Sequence, residues 1–221
     1  MRLANADILA GPDVFDQPMV MLDFETTGLS PDAGDCITEV PALRMVNGVV
    51  AERFVTLINC GMRIPSCITA LTGISQQIVD GAPPVRQVLP QLLDFIGGYM
   101  LASHNASFDA RFLLAESRHQ GLTPRNGGLI CSLKLTRQLL PGCASYKLGA
   151  LTQSSNIRFG SAAHRAEADP EVTVRLLDYI GNHLCHTYAC SSIAPSLLEA
   201  VNGQSAAKVL GFLARRFATL G

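Results

Sequence analysis

The chain has 221 residues, 48% of them hydrophobic and 16% charged, with a formal net charge of −1. That apolar content is enough for a full core and excludes a disordered chain. The near-neutral balance excludes a protein that coats duplex nucleic acid with a broad basic surface. It leaves room for an enzyme that grips a few nucleotides while bound metal ions supply the positive charge.

Seven cysteines occur, at 36, 60, 67, 131, 143, 185 and 190, with no C-x-x-C among them. Reduced thiols in a cytoplasmic protein are the expectation. Residues 1–17 contain Asp7, Asp13 and Asp16 and read as an N-terminal extension rather than a signal peptide. No apolar run reaches the ~18 residues that a membrane span needs, so no membrane partner is expected.

In chain order, Pro18 introduces an apolar run over 19–24 that reads as a buried strand. Apolar stretches 37–46 and 49–58 flank Asn47-Gly48, a strong hairpin signal because both residues tolerate positive φ. Pro41 sits inside the first of these and predicts a bulge or local irregularity, because proline removes a ladder donor. Residues 64–80 read as a loop with short helical pieces. Pro83-Pro84 opens a helix that closes near Gly97-Gly98. A buried strand over 99–103 precedes a helix stopped by Gly121, then a short strand at 129–131 and a helix over 133–140 closed by Pro141-Gly142. Residues 146–152 and 163–183 read as the next helices. The main domain is therefore expected over 18–185, an α/β unit with a mixed sheet and helices on its faces. Residues 186–221 are expected to form a C-terminal helical tail. Its amphipathic end, with Val209, Leu210, Leu213, Phe217 and Leu220, either docks on the domain or binds a partner.

Asp23 and Glu25 stand two apart, so on a strand they share one face. Paired acids at the end of an apolar strand are costly unless a cation compensates them, and oxygen-only ligands suit Mg²⁺ or Mn²⁺. Taken alone, the pair reads equally well as two solvated acids. Asp109 lies at an expected helix start, where an acid commonly serves as a cap. His164 and Asp169 lie five apart, and each alone is more often a surface residue. His183, Cys185, His186 and Cys190 cluster near one helix end, in a spacing that fits no standard zinc motif.

Asp23-Phe24-Glu25-Thr26-Thr27-Gly28-Leu29, Leu71-Thr72-Gly73-Ile74, His104-Asn105-Ala106-Ser107-Phe108-Asp109, Tyr146-Lys147-Leu148 and His164-x4-Asp169 follow one another in the chain. Together they resemble the DEDD exonucleases, in the subgroup with histidine in H-x4-D. The set is similar to the exonuclease domain of the DNA polymerase III epsilon subunit and the related domain in Gram-positive replicative polymerases. The resemblance implies a ribonuclease-H-like fold, a mixed five-stranded sheet flanked by helices. It implies that Asp23, Glu25, Asp109 and Asp169 hold two divalent ions, Mg²⁺ or Mn²⁺, and that His164 takes a proton from the attacking water. It further implies substrate contacts from Thr26, Thr27, Gly28, Leu29, Leu71, Ile74, Asn105 and Phe108. For Leu29, Leu71, Ile74 and Phe108, core packing stands as the equal alternative. The expected activity is 3′-to-5′ removal of nucleoside 5′-monophosphates from single-stranded or frayed ends, DNA favoured over RNA, with a polymerase or other replication subunit as partner. The alternatives are an exoribonuclease similar to ribonuclease T or oligoribonuclease, and a non-catalytic polymerase-associated binding subunit.

Overall fold

The computed structural model describes residues 14–154 and 168–218; the side chains of residues 152–154, 168 and 169 lie outside that description. Its centre is one sheet. Strand β1 (Met19–Leu22) and strand β2 (Glu25–Thr26) pair antiparallel with the same edge of β3 (Ile37–Val46). Strand β4 (Val49–Leu57) takes the other edge of β3. Strand β5 (Met100–Ser103) runs parallel to β1, and β6 (Leu129–Cys131) parallel to β5. Because β1 and β2 lie on one line, six strand segments make the expected five-stranded mixed sheet, ordered β4, β3, β1/β2, β5, β6.

The β3–β4 hairpin turns at Asn47-Gly48, where Val46 faces Val49 and both turn residues adopt positive φ, 52° and 70°. This is the two-residue turn whose twist matches that of its strands. Pro41 departs from expectation in an informative way. The β3–β4 register runs unbroken through Pro41, which faces Val55. The interruption lies on the opposite edge. There the Asp23 N–H donates to the Pro41 carbonyl at 3.2 Å, and Pro41 has no N–H to return. The expected strand over 19–24 accordingly ends at Leu22 and resumes at Glu25. The bulges in β3 pairing fall elsewhere, between Glu25 and Thr26 and between Arg44 and Met45.

Alternation along the strands sorts the two faces. Val20, Leu22 and Phe24 pack with Val88 and Leu92 of α3 (Val85–Ile96) and Phe112 of α4 (Ala106–His119). Met19, Met21 and Ala102 face the other way. They meet Leu135 of α5 (Ser132–Leu139) and Leu176, Leu177 and Ile180 of α7 (Ala168–Tyr188). Each such fully buried side chain contributes about 1.5–3 kcal/mol. The loop expected at 64–80 carries α1 (Ser66–Thr72) and α2 (Gln76–Asp80), and α6 (Leu148–Ser154) follows α5. No described helix is long and apolar enough to cross a membrane.

The C-terminal helices α8 (Pro195–Asn202) and α9 (Ala206–Ala218) belong to the main core: Leu198, Val201, Val209 and Leu213 are fully buried in it. Helix α8 also covers the open edge of β6. Glu199 Oε1 accepts from the Leu129 N–H at 3.1 Å, and Asn202 brackets Cys131, accepting from its N–H at 2.7 Å and donating to its carbonyl at 3.2 Å. Buried or covered strand edges need such partners. At the other terminus, Val14 and Phe15 are buried against the same core, and Val14 accepts from the Ile193 N–H at 2.7 Å.

The expectation of uniformly reduced cysteines is corrected. Cys36 and Cys60 form a disulfide with Cα atoms 6.2 Å apart, while the other five cysteines are free. The pairing joins the start of β3 to the segment after β4, positions brought together by the hairpin and invisible in the spacing alone.

Candidate active site

The acids of the expected site stand on β2, on the residues that follow β1 and at the starts of α4 and α7. Asp23 and Glu25 continue the alternation of Met19 and Met21, so the register places them on the face that α7 covers. Asp169 lies in the first turn of α7. Its side chain, and the whole of His164, lie outside the described residues. Asp109 approaches from the opposite helix layer, in the first turn of α4. Its carboxylate is 2% exposed and held at both oxygens. The Phe24 N–H donates to Oδ1 at 2.9 Å, and the Ser103 hydroxyl donates to Oδ2 in a very short contact. Phe24 is the residue between Asp23 and Glu25, so one backbone hydrogen bond ties Asp109 to the Asp-x-Glu segment.

Burial pushes the Asp109 carboxyl up to about 6, against the hydrogen bonds from Ser103 and Phe24, which pull it down. Glu25 lies directly opposite Glu39 on β3, and burial raises the Glu39 carboxyl above its ordinary value. Like charges in direct cross-strand register are destabilising. Burial thus disfavours the charged form of both Asp109 and Glu39, the condition that a bound cation relieves. The donors are all hard oxygens, which fits Mg²⁺ or Mn²⁺. Among the described residues no three His, Cys, Asp or Glu side chains gather closely enough to hold an ion by themselves, and this includes the His183–Cys190 cluster.

The loop after β2 is built around Asp35. The Thr26 hydroxyl donates to the Gly28 carbonyl at 2.6 Å, and Ser30 N–H donates to Asp35 Oδ2 at 2.9 Å. A Cβ on Gly28 would stand 2.4 Å from the Asp35 carboxylate, so any other residue there would push that carboxylate away from the Ser30 N–H. Thr27 is locked to β3: its N–H donates to the Cys36 carbonyl at 2.9 Å and its Oγ1 accepts from the Cys36 N–H at 3.0 Å. This loop presents Leu29 at 78% exposure, and the end of α1 presents Leu71 at 76%. Ile74 differs. It is 5% exposed and packs with Ile64 and Val79, the core alternative for that residue. Asn105 caps α4 in the left-handed conformation (φ 68°) and is exposed. Phe108 is half-buried, its ring 4.9 Å from that of Phe112, so it serves the core at least in part.

Two residues of this neighbourhood escape a reading of the sequence. Ser103 carried a weak signal, a polar residue closing an apolar strand. Glu39 carried a stronger one, an acid inside an apolar strand. Beside them His104 ties down the chain before α6: Nδ1 lies 2.9 Å from Ser132 Oγ and Nε2 3.0 Å from the Tyr146 carbonyl. A carbonyl only accepts, so Nε2 carries a proton.

A family model described as exonuclease, RNase_T, matches residues 20–177. DNA polymerase III subunit epsilon of Aquifex aeolicus is 30% identical over 189 residues, covering 85% of this chain and 92% of the relative. The 3′-5′ exonuclease DinG of Bacillus subtilis is 36% identical over 157 residues, 71% of this chain. Several relatives are much longer: the chain spans 17% of DinG and 11% of a PolC-type DNA polymerase III. Among solved structures, Exonuclease X in complex with 5′ overhanging duplex DNA superposes with a TM-score of 0.60 at 28% identity, covering 75% of this chain and 92% of that one. The chain therefore belongs to the RNase_T exonuclease family.

Proposed function

We propose that the chain is a divalent-metal-dependent 3′-to-5′ exonuclease that releases nucleoside 5′-monophosphates from single-stranded or frayed DNA ends. The observation that carries this reading is the Asp109 carboxylate, buried, pinned at both oxygens and tied through Phe24 to Asp23 and Glu25 in an exonuclease-family chain. Asp23, Glu25, Asp109 and Asp169 hold the metal. When bound, a pair of Mg²⁺ or Mn²⁺ ions supplies an acidified water and neutralises charge on the phosphate and leaving oxygen. His164, as neutral imidazole, accepts the proton of that water.

Leu29 and Leu71, apolar and almost fully exposed, present surfaces on which unpaired terminal bases pack. Thr26, Thr27 and Gly28 form the turn that meets the terminal sugar, and Asn105 and Phe108 border the strand path. The likeness to epsilon and PolC-type proteins supports a polymerase or other replication subunit as partner.

The test is digestion of matched 5′-labelled single-stranded DNA and RNA with Mg²⁺ or Mn²⁺, resolved on a gel. The expected result is a ladder shortening one nucleotide at a time from the 3′ end, faster on DNA. Faster digestion of RNA assigns the exoribonuclease alternative. Internal cleavage, or shortening from the 5′ end only, contradicts the proposal.

A further inference from the structure

A carboxylate held by a single hydrogen bond can still turn about its Cβ–Cγ bond, a broad and nearly two-fold torsion. The Phe24 N–H on Oδ1 alone would leave Asp109 that freedom. The Ser103 hydroxyl on Oδ2 removes it, since two donors on two oxygens fix the plane of the group. The donor is itself well anchored. Ser103 is 1% exposed and ends β5, a strand paired on both edges, with Ser103 itself in register with Cys131 of β6. Alternation puts it on the α4 side with Leu101, while His104 turns to the opposite side and bonds Ser132 and Tyr146. Strand-borne supports hold a site more precisely than loop-borne ones.

A carboxylate offers about four lone-pair directions, and the Phe24 and Ser103 donors, with the Asp109 backbone N–H, leave only part of that capacity open. We infer that Ser103 is a positioning residue that fixes the direction in which Asp109 offers its remaining lone pairs to a divalent cation. The inference rests on the proposed function, because it assigns Asp109 to metal binding. It adds that the orientation of this ligand is set by the side chain closing β5, and not by α4 alone. A serine that merely satisfied a buried acid would contribute to folding and leave cation affinity alone.

The test is a Mn²⁺ titration of the metal-free full chain, with free ion followed by electron paramagnetic resonance and each variant's fold checked by thermal melt. Ser103→Ala is expected to weaken Mn²⁺ binding roughly 10–100-fold, the usual effect of removing a hydrogen-bond partner of a metal ligand. Ser103→Thr, which keeps the hydroxyl, is expected to restore it. In an Asp109→Asn background, Ser103→Ala is expected to cause no further loss, because the two act through one group. If Ser103→Ala does not fold, Ser103→Cys substitutes a weak donor of similar size, with an intermediate loss expected. Wild-type affinity in a folded Ser103→Ala or Ser103→Cys overturns the inference, as does an equal loss in the Asp109→Asn background. A wild type that binds no Mn²⁺ overturns the proposed function and this inference together, so the two failures are distinguishable.

Discussion

The strand-end site and the C-terminal helices both carry polar side chains to the sheet from far along the chain, with opposite energetic signs. At the β6 edge, Glu199 and Asn202 end on backbone groups that need partners, and Gln138 donates to the Val201 and Gln204 carbonyls. Each buried polar group so satisfied avoids a cost of about 1–3 kcal/mol. At the strand ends, Asp109 is buried at the expense of its ionised form, and Glu25 faces Glu39. One region stabilises the fold. The other holds a buried carboxyl, Asp109, whose ionised form burial disfavours and which a cation, on the proposed function, would favour. The comparison teaches that variants of the two regions should separate activity from stability.

The largest separation is expected at the acids. Asp169→Ala should abolish turnover and leave the melting temperature of the metal-free protein unchanged or higher, since on the proposed function it removes one of four metal-binding acids that repel one another when no metal is bound. A collapsed melt would place Asp169 with the stabilising region instead. His164→Ala should slow the chemical step by roughly 10²–10⁴-fold, as for removal of a general base. Mn²⁺ affinity should be retained, and the limb of the pH–rate profile due to His164 should vanish. Single-turnover rates of variant and wild type across pH check this, and near-normal turnover would reduce His164 to a surface role.

The converse is expected in the C-terminal helices. Leu213 is fully buried in the core, so Leu213→Ala should cost about 2–5 kcal/mol of stability. The rate per folded molecule should stay at the wild-type level. Denaturant melts with active-site titration measure both, and a stable but slow variant would tie α9 to the chemistry. Deletion after Ser191 would likewise remove Leu198, Val201, Val209 and Leu213 from the core and is expected to unfold the domain.

A smaller and conditional effect sharpens the comparison within α7, the helix shared by both regions. Burial pushes the Asp178 carboxyl up to about 7, partly offset by Arg175, and Asp178 Oδ1 has no hydrogen-bond partner among the described residues. A folded pKa above the unfolded one means that ionisation disfavours the fold. The penalty is absent below the unfolded value of 3.8, grows as pH rises and is complete above about 7. At its upper bound it is about 4 kcal/mol. Asp178→Asn should therefore raise the melting temperature at pH 8 and much less at pH 4. A difference independent of pH would show that the charge is not the cause.

Much of this was legible in the sequence because it is local. The Asn47-Gly48 hairpin, the strand alternation that puts Asp23 beside Glu25, and the helix start at Asp109 all follow from short-range pattern. What stayed hidden depends on pairings between distant segments. The Ser103–Asp109 and Phe24–Asp109 hydrogen bonds, the Cys36–Cys60 disulfide and the cover of β6 by α8 have no periodic signature. The amphipathic pattern of α9 showed that one face would be buried, and the fold supplies its partner, the parent core. Pro41 was read correctly as a lost donor. Which edge would feel the loss depended on the direction of its missing N–H, which the alternation of β3 pairing decides.

The central claim is that metal held by the strand-end carboxylates drives the nuclease. Its most direct test is cleavage of a 5′-labelled oligonucleotide by wild type and Asp23→Ala, with excess chelator and then with Mg²⁺ restored. The account predicts no cleavage by wild type in chelator, full recovery with Mg²⁺, and none by a folded Asp23→Ala under either condition. Full wild-type activity in excess chelator, or turnover by Asp23→Ala with Mg²⁺, would contradict it.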